Sequence, residues 1–110
     1  MSSEGLWSIE IGAELGVVPG GVIVFNEGRL HGGGNEYFYV GSYEVRNDQF
    51  IAVIEVTHYN DVPNLLFGEA KGLLLNLTGV VSEAEMDLGG LFPANPDIEL
   101  TVRLTKRAPL

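Results

Sequence analysis

Apolar and polar residues alternate with a period of two along most of the chain, the repeat of a strand with one dry face and one wet one. From Asp97 to Thr105, Ile98, Leu100, Val102 and Leu104 alternate with Glu99, Thr101 and Arg103. Gly72 to Val81 sets Leu73, Leu75 and Leu77 against Asn76 and Thr78, and near the start Trp7, Ile9 and Ile11 alternate with Ser8 and Glu10. Such segments predict half-buried antiparallel strands. Phe50, Ala52, Ile54 and Val56 form an apolar face, whereas Ile51, Val53, Glu55 and Thr57 form a mixed one, so this strand is expected to be partly covered on both sides.

Turn chemistry separates the runs. Gly21 to Phe25 is β-branched and apolar; Asn26-Glu27-Gly28 then supplies a turn, because Asn and Gly tolerate positive φ, and Arg29-Leu30-His31 returns. Arg46-Asn47-Asp48 divides Gly41 to Val45 from Phe50 to His58 in the same way. Between Asn60 and Ala70 the alternation breaks, which predicts a loop or one short helical turn packing Leu65, Leu66 and Phe67 over an open end of the sheet. Leu88 to Pro96 holds two glycines and two prolines, so only a short strand around Met86 and Leu88 is expected there. No stretch sustains the roughly 10 residues of helical periodicity that a stable helix needs.

Seven or eight short strands with hairpin-sized connections make an all-β fold, a small antiparallel up-and-down β-barrel occupying residues 1–110 as one domain. Closure removes the edge strands on which other chains could template. The glycines at 12, 16, 20 and 21 fit tight barrel corners.

Charge narrows the function. The formal net charge is −9, from 15 acidic and 6 basic residues, and this argues against direct binding to nucleic acid, which relies on clustered Lys and Arg. Arg103, Lys106 and Arg107 lie in the last eight positions, so the remaining surface is more acidic still; it serves solubility or attracts a basic partner. With no cysteine, disulfides, thiolate metal sites and a Cys nucleophile are excluded. Met1-Ser2-Ser3-Glu4 has neither the basic nor the apolar part of a secretion signal, and no apolar run approaches the roughly 18 residues of a membrane helix. A cytoplasmic protein is expected, and Asn76-Leu77-Thr78, which matches a glycosylation acceptor, is then only part of a strand.

The motifs that could carry chemistry are few. Gly32-Gly33-Gly34 is followed by strand-like Asn35-Glu36-Tyr37-Phe38, and the nearest lysine is Lys71. A phosphate cradle needs a helix N-terminus and, for nucleoside triphosphates, a lysine, so these glycines are expected to form a flexible hairpin corner. His31 and His58 have no set of further ligands at regular spacing, and His58 is expected as a hydrogen-bonded histidine at the barrel mouth. Glu83, Glu85 and Asp87 would share a face if extended, but the glycine-containing loop of a calcium site is missing and a solvated turn is expected. Tyr37, Tyr39, Tyr43 and Val45 share a face interrupted by Gly41, which leaves room for a ligand or for a crossing backbone. No nucleophile, metal set, cofactor site or paired acid and base emerges, so no enzymatic activity is expected.

Gly5-Leu6-Trp7 on the first strand with Arg103 on the last resembles the lipocalin arrangement, in which a tryptophan plugs the barrel base and an arginine lies over it. A longer stretch resembles the GrlR family, small bacterial proteins named after a negative regulator of type III secretion. It comprises Gly5-Leu6-Trp7-Ser8-Ile9, Gly20-Gly21-Val22-Ile23-Val24, Gly32-Gly33-Gly34, Gly41-Ser42-Tyr43 and His58-Tyr59-Asn60. That resemblance implies a lipocalin-like, calycin-type barrel that forms a cytoplasmic homodimer and sequesters a transcriptional activator through an acidic Glu-Asp-Glu-Asp loop. The comparable hairpin here reads Glu44-Val45-Arg46-Asn47-Asp48, so the motif itself is not kept. Two functions follow as expectations. In one, a regulatory module binds another protein, such as a basic transcriptional activator, through Glu44, Arg46 and Asp48. In the other, a carrier or sensor holds a small apolar ligand among Trp7, Ile9, Tyr39, Tyr43, Leu75 and Leu100.

Overall fold

A computed structural model describes residues 3–13, 16–59, 72–92 and 95–110. Eight strands follow one another: β1 (Gly5–Ala13), β2 (Gly16–Asn26), β3 (Arg29–Gly33), β4 (Tyr37–Arg46), β5 (Gln49–His58), β6 (Gly72–Val80), β7 (Glu85–Phe92) and β8 (Asn95–Ala108). Each pairs antiparallel with the next, and β8 returns to β1, so the sheet closes into an up-and-down barrel. No helix among the described residues is long and apolar enough to cross a membrane.

Two-residue turns set the register of two hairpins. Glu27 and Gly28 have φ of 51° and 78°, and Asn47 and Asp48 have 52° and 66°. Positive φ at both central residues is the type I′ geometry, whose twist matches the strands it joins. Period-two alternation then sorts the side chains. Trp7, Ile9 and Ile11, Phe50 to Val56 at alternate positions, and Leu100, Val102 and Leu104 are all buried inside, while Glu10, Glu55, Glu99 and Arg103 stand outside. Ile51, Val53 and Thr57 on the outer face of β5 are half-buried, as their mixed pattern predicts.

Inside a barrel this small, inward glycines mark where strands bend against one another. A Cβ on Gly41 would collide with the Val53 carbonyl oxygen of β5. The gap between the tyrosines of β4 therefore holds a neighbouring backbone, which decides between the two uses of that glycine. Gly20 and Gly21 are similarly crowded, by the Tyr39 hydroxyl and by Gly33, but Gly12 is not: a Cβ there would make ordinary contact, 3.5 Å from Val17 Cγ2.

Two further expectations are corrected. Gly32 and Gly33 lie within β3 and not in a flexible corner; a Cβ on Gly32 would strike the Val22 carbonyl oxygen of β2. Only Gly34 begins the turn, donating its N–H to the Tyr37 carbonyl at 2.9 Å. The short strand around Met86 and Leu88 extends to Phe92, because the antiparallel ladder with β8 carries through Gly89 and Gly90. The expected cover of Leu65, Leu66 and Phe67 lies outside the described residues.

Candidate functional site

The interior splits into two ends. At the end carrying the two type I′ turns, Trp7, Phe25, Tyr43 and Phe50 form one aromatic cluster. Trp7 and Phe25 are 5.8 Å apart by ring centroid, Phe25 is 5.1 Å from both Tyr43 and Phe50, and Tyr43 stacks on Phe50 at 5.2 Å. Ring separations of this size are those of packed aromatic pairs, so Trp7 and Tyr43 fill this end rather than line an opening. Trp7 donates its indole N–H to the Ser3 carbonyl at 2.9 Å, which ties the leading segment across the base.

The cation over Trp7 is Lys106 and not Arg103. Lys106 Nζ lies 5.9 Å from the indole centroid, within reach of a cation–π contact. Arg103 projects outward, where its Nε meets Asp87 Oδ1 at 3.0 Å, its Nη2 meets Asp87 Oδ2 at 3.3 Å and its Nη1 meets Glu85 Oε2 at 4.0 Å. Two of the three alternating carboxylates, Glu85 and Asp87, do share a face, but it is taken by a guanidinium. The Arg103 hydrogen bond holds the Asp87 carboxyl below its ordinary pKa. Among the described residues no group of three or more His, Asp or Glu side chains could hold a metal ion.

At the opposite end Tyr39, Ile9, Leu75 and Leu100 are buried and face inward. The Tyr39 hydroxyl donates to the Gly20 carbonyl at 2.8 Å, and burial pushes its pKa well above the usual phenol value. His58 pairs with Tyr37 across β4 and β5, their rings 5.3 Å apart. Its Nε2 is buried with no hydrogen-bond partner among the described residues, in contrast to the hydrogen-bonded histidine expected there. An orphaned imidazole nitrogen cannot be read from sequence, since it depends on what every neighbouring strand fails to offer.

The hairpin expected to meet a partner stands at the surface. Glu44 and Arg46 are exposed and pair with each other, Arg46 Nη2 to Glu44 Oε1 at 2.9 Å. Asp48 is exposed in the turn, and its backbone carbonyl accepts the Val81 N–H at 2.9 Å. The three residues are thus brought together on one hairpin, with one of the two carboxylates already neutralised internally. Compared with known proteins, the chain matches no family model and no curated protein significantly.

Proposed function

We propose that this chain is a non-enzymatic, cytoplasmic regulatory module, related to the GrlR group, that holds a basic partner protein against its acidic outer surface. A transcriptional activator, whose DNA-binding surface is itself basic, is the partner class that suits it. The observation that carries this reading is the segregation of charge. Among the described residues no Asp or Glu is buried, so every described carboxylate of a chain with net charge −9 is left on or near the surface. A field of one sign over a small barrel raises the rate of encounter with a cationic partner. A homodimer belongs to the same reading, supported by Val22, Phe38 and Val40, apolar side chains exposed on adjoining rows of the outer face.

The test compares wild type with the Glu44→Lys, Asp48→Lys double variant for retention of basic DNA-binding proteins from the host. The variant should lose the retained partner; equal retention by both removes the hairpin from the reading. A second reading, a carrier of a small apolar ligand, is favoured by the orphaned His58 Nε2 beside the apolar interior at the Tyr39 end. A dye-displacement titration with medium-chain fatty acids checks it, and the absence of saturable displacement disposes of it.

A further inference from the structure

Outside the barrel, a row of residues in register crosses five strands. Val17 on β2 pairs with Gly12 on β1, Gly12 with Thr101 on β8, Thr101 with Gly89 on β7, and Gly89 with Thr78 on β6. The low side chains along this row leave a shallow groove made of three adjoining depressions that share lining residues, the largest with a volume of about 460 Å³. One wall carries Glu10, Asp87 and Arg103, and the other carries Leu91 and Leu74. Val17, Leu91 and Leu74, which line it, are 66%, 57% and 54% exposed and give it an aliphatic component.

The glycines of this groove differ from those that shape the barrel. Gly41 and Gly32 face inward, where a Cβ would collide with backbone, and Gly90, which borders two of the depressions, is held against the Asn76 carbonyl in the same way. At Gly89 a Cβ would meet nothing closer than 3.9 Å, and at Gly12 nothing closer than 3.5 Å. Glycine weakens a strand, and at these two outward positions a Cβ would make no more than ordinary contact. It keeps the floor low.

We infer that this groove is the seat of a basic amphipathic helix of a partner protein. The inference rests on the acidic-module reading and adds to its hairpin a second contact surface. Three arguments select this occupant. The barrel is closed, with the β6–β7 seam paired at Thr78 and Gly89, so the outer face offers a partner side chains more than a free strand edge. Among the described residues Glu10, Asp87 and Glu99 line the groove, and the guanidinium beside them, Arg103, is already held by Asp87 and Glu85. A second copy of this chain would bring its own charge of −9 to that surface, whereas Lys and Arg flanking an apolar stripe complement both walls. Five strands at about 4.8 Å give a groove of about 19 Å, the length of roughly 13 helical residues.

A fluorescein-labelled peptide of about 14 residues, with Leu at i, i+3, i+4 and i+7 and Lys elsewhere, provides the probe. Its fluorescence anisotropy is followed on titration with the protein, beside a counterpart carrying Glu in place of Lys. The Lys peptide should bind saturably and the Glu peptide should not. Gly12→Ala with Gly89→Val, which raises the floor without altering charge, should weaken binding by about tenfold while the thermal transition persists. Leu74→Ser with Leu91→Ser should do the same from the wall. If both pairs bind as wild type does while Glu44→Lys, Asp48→Lys abolishes binding, the groove is overturned and the acidic module stands. Failure of the Lys peptide to bind wild type overturns the groove, whereas the acidic module is overturned when wild type retains no basic protein from the host.

Discussion

Lys106 covers Trp7 because of parity along β8. Leu100, Val102 and Leu104 point inward, so the next inward position is 106, and Arg103 falls on the wet face beside Thr101. The alternation that predicts the strand already contains this answer; a motif that pairs tryptophan with arginine points to the wrong residue because it ignores register. The chain has one tryptophan, and Trp7 therefore reports on its own cover. Lys106→Gln should shift the Trp7 emission and lower stability by about 0.5–1 kcal/mol, the value of a cation over an indole ring. Arg103→Gln should leave the emission unchanged. Urea unfolding followed by tryptophan fluorescence reads both quantities, and a shift caused by Arg103→Gln alone would reverse the assignment.

At the level of elements, the turns were the most legible features and the glycine-rich strand the least. Asn26-Glu27-Gly28 and Arg46-Asn47-Asp48 announce hairpins through residues that accept positive φ, and both hairpins form. β7 was only half legible: Gly89-Gly90 reads as a turn in sequence, yet the ladder with β8 holds the pair extended. The outer groove was not legible at all, since Val17, Gly12, Thr101, Gly89 and Thr78 are neighbours only once five strands are in register. One hairpin is also imperfect. Glu27 occupies a left-handed position at φ 51° that favours Asn or Gly, while its backbone N–H, which any residue there retains, donates to Glu4 Oε2 at 2.8 Å. Glu27→Asn should therefore stabilise the protein by about 0.5–1 kcal/mol, measured as a rise in the urea midpoint at constant slope. An unchanged or lower midpoint would show that the glutamate side chain makes up for its backbone.

For the whole molecule, the phenols inside the barrel give stability a direction with pH. Burial raises the pKa values of Tyr37, Tyr39 and Tyr43 above the ordinary phenol value, most strongly for Tyr39. Below about pH 10 these groups are protonated in the folded and unfolded chains alike, and their contribution is fully present. As pH rises past about 10 the unfolded chain gives up phenolic protons that folded Tyr39 keeps. The unfolded state then binds fewer protons, and stability falls, for Tyr39 by up to about 1.4 kcal/mol per pH unit. Urea unfolding at pH 8 and pH 11 should show wild type losing stability over that interval. Tyr39→Phe should start lower by about 1 kcal/mol, through loss of the hydrogen bond to the Gly20 carbonyl, and then lose less on going to pH 11. If the two proteins fall by the same amount, the alkaline sensitivity resides elsewhere, and Tyr39 is a packing residue whose proton plays no part in holding the barrel closed.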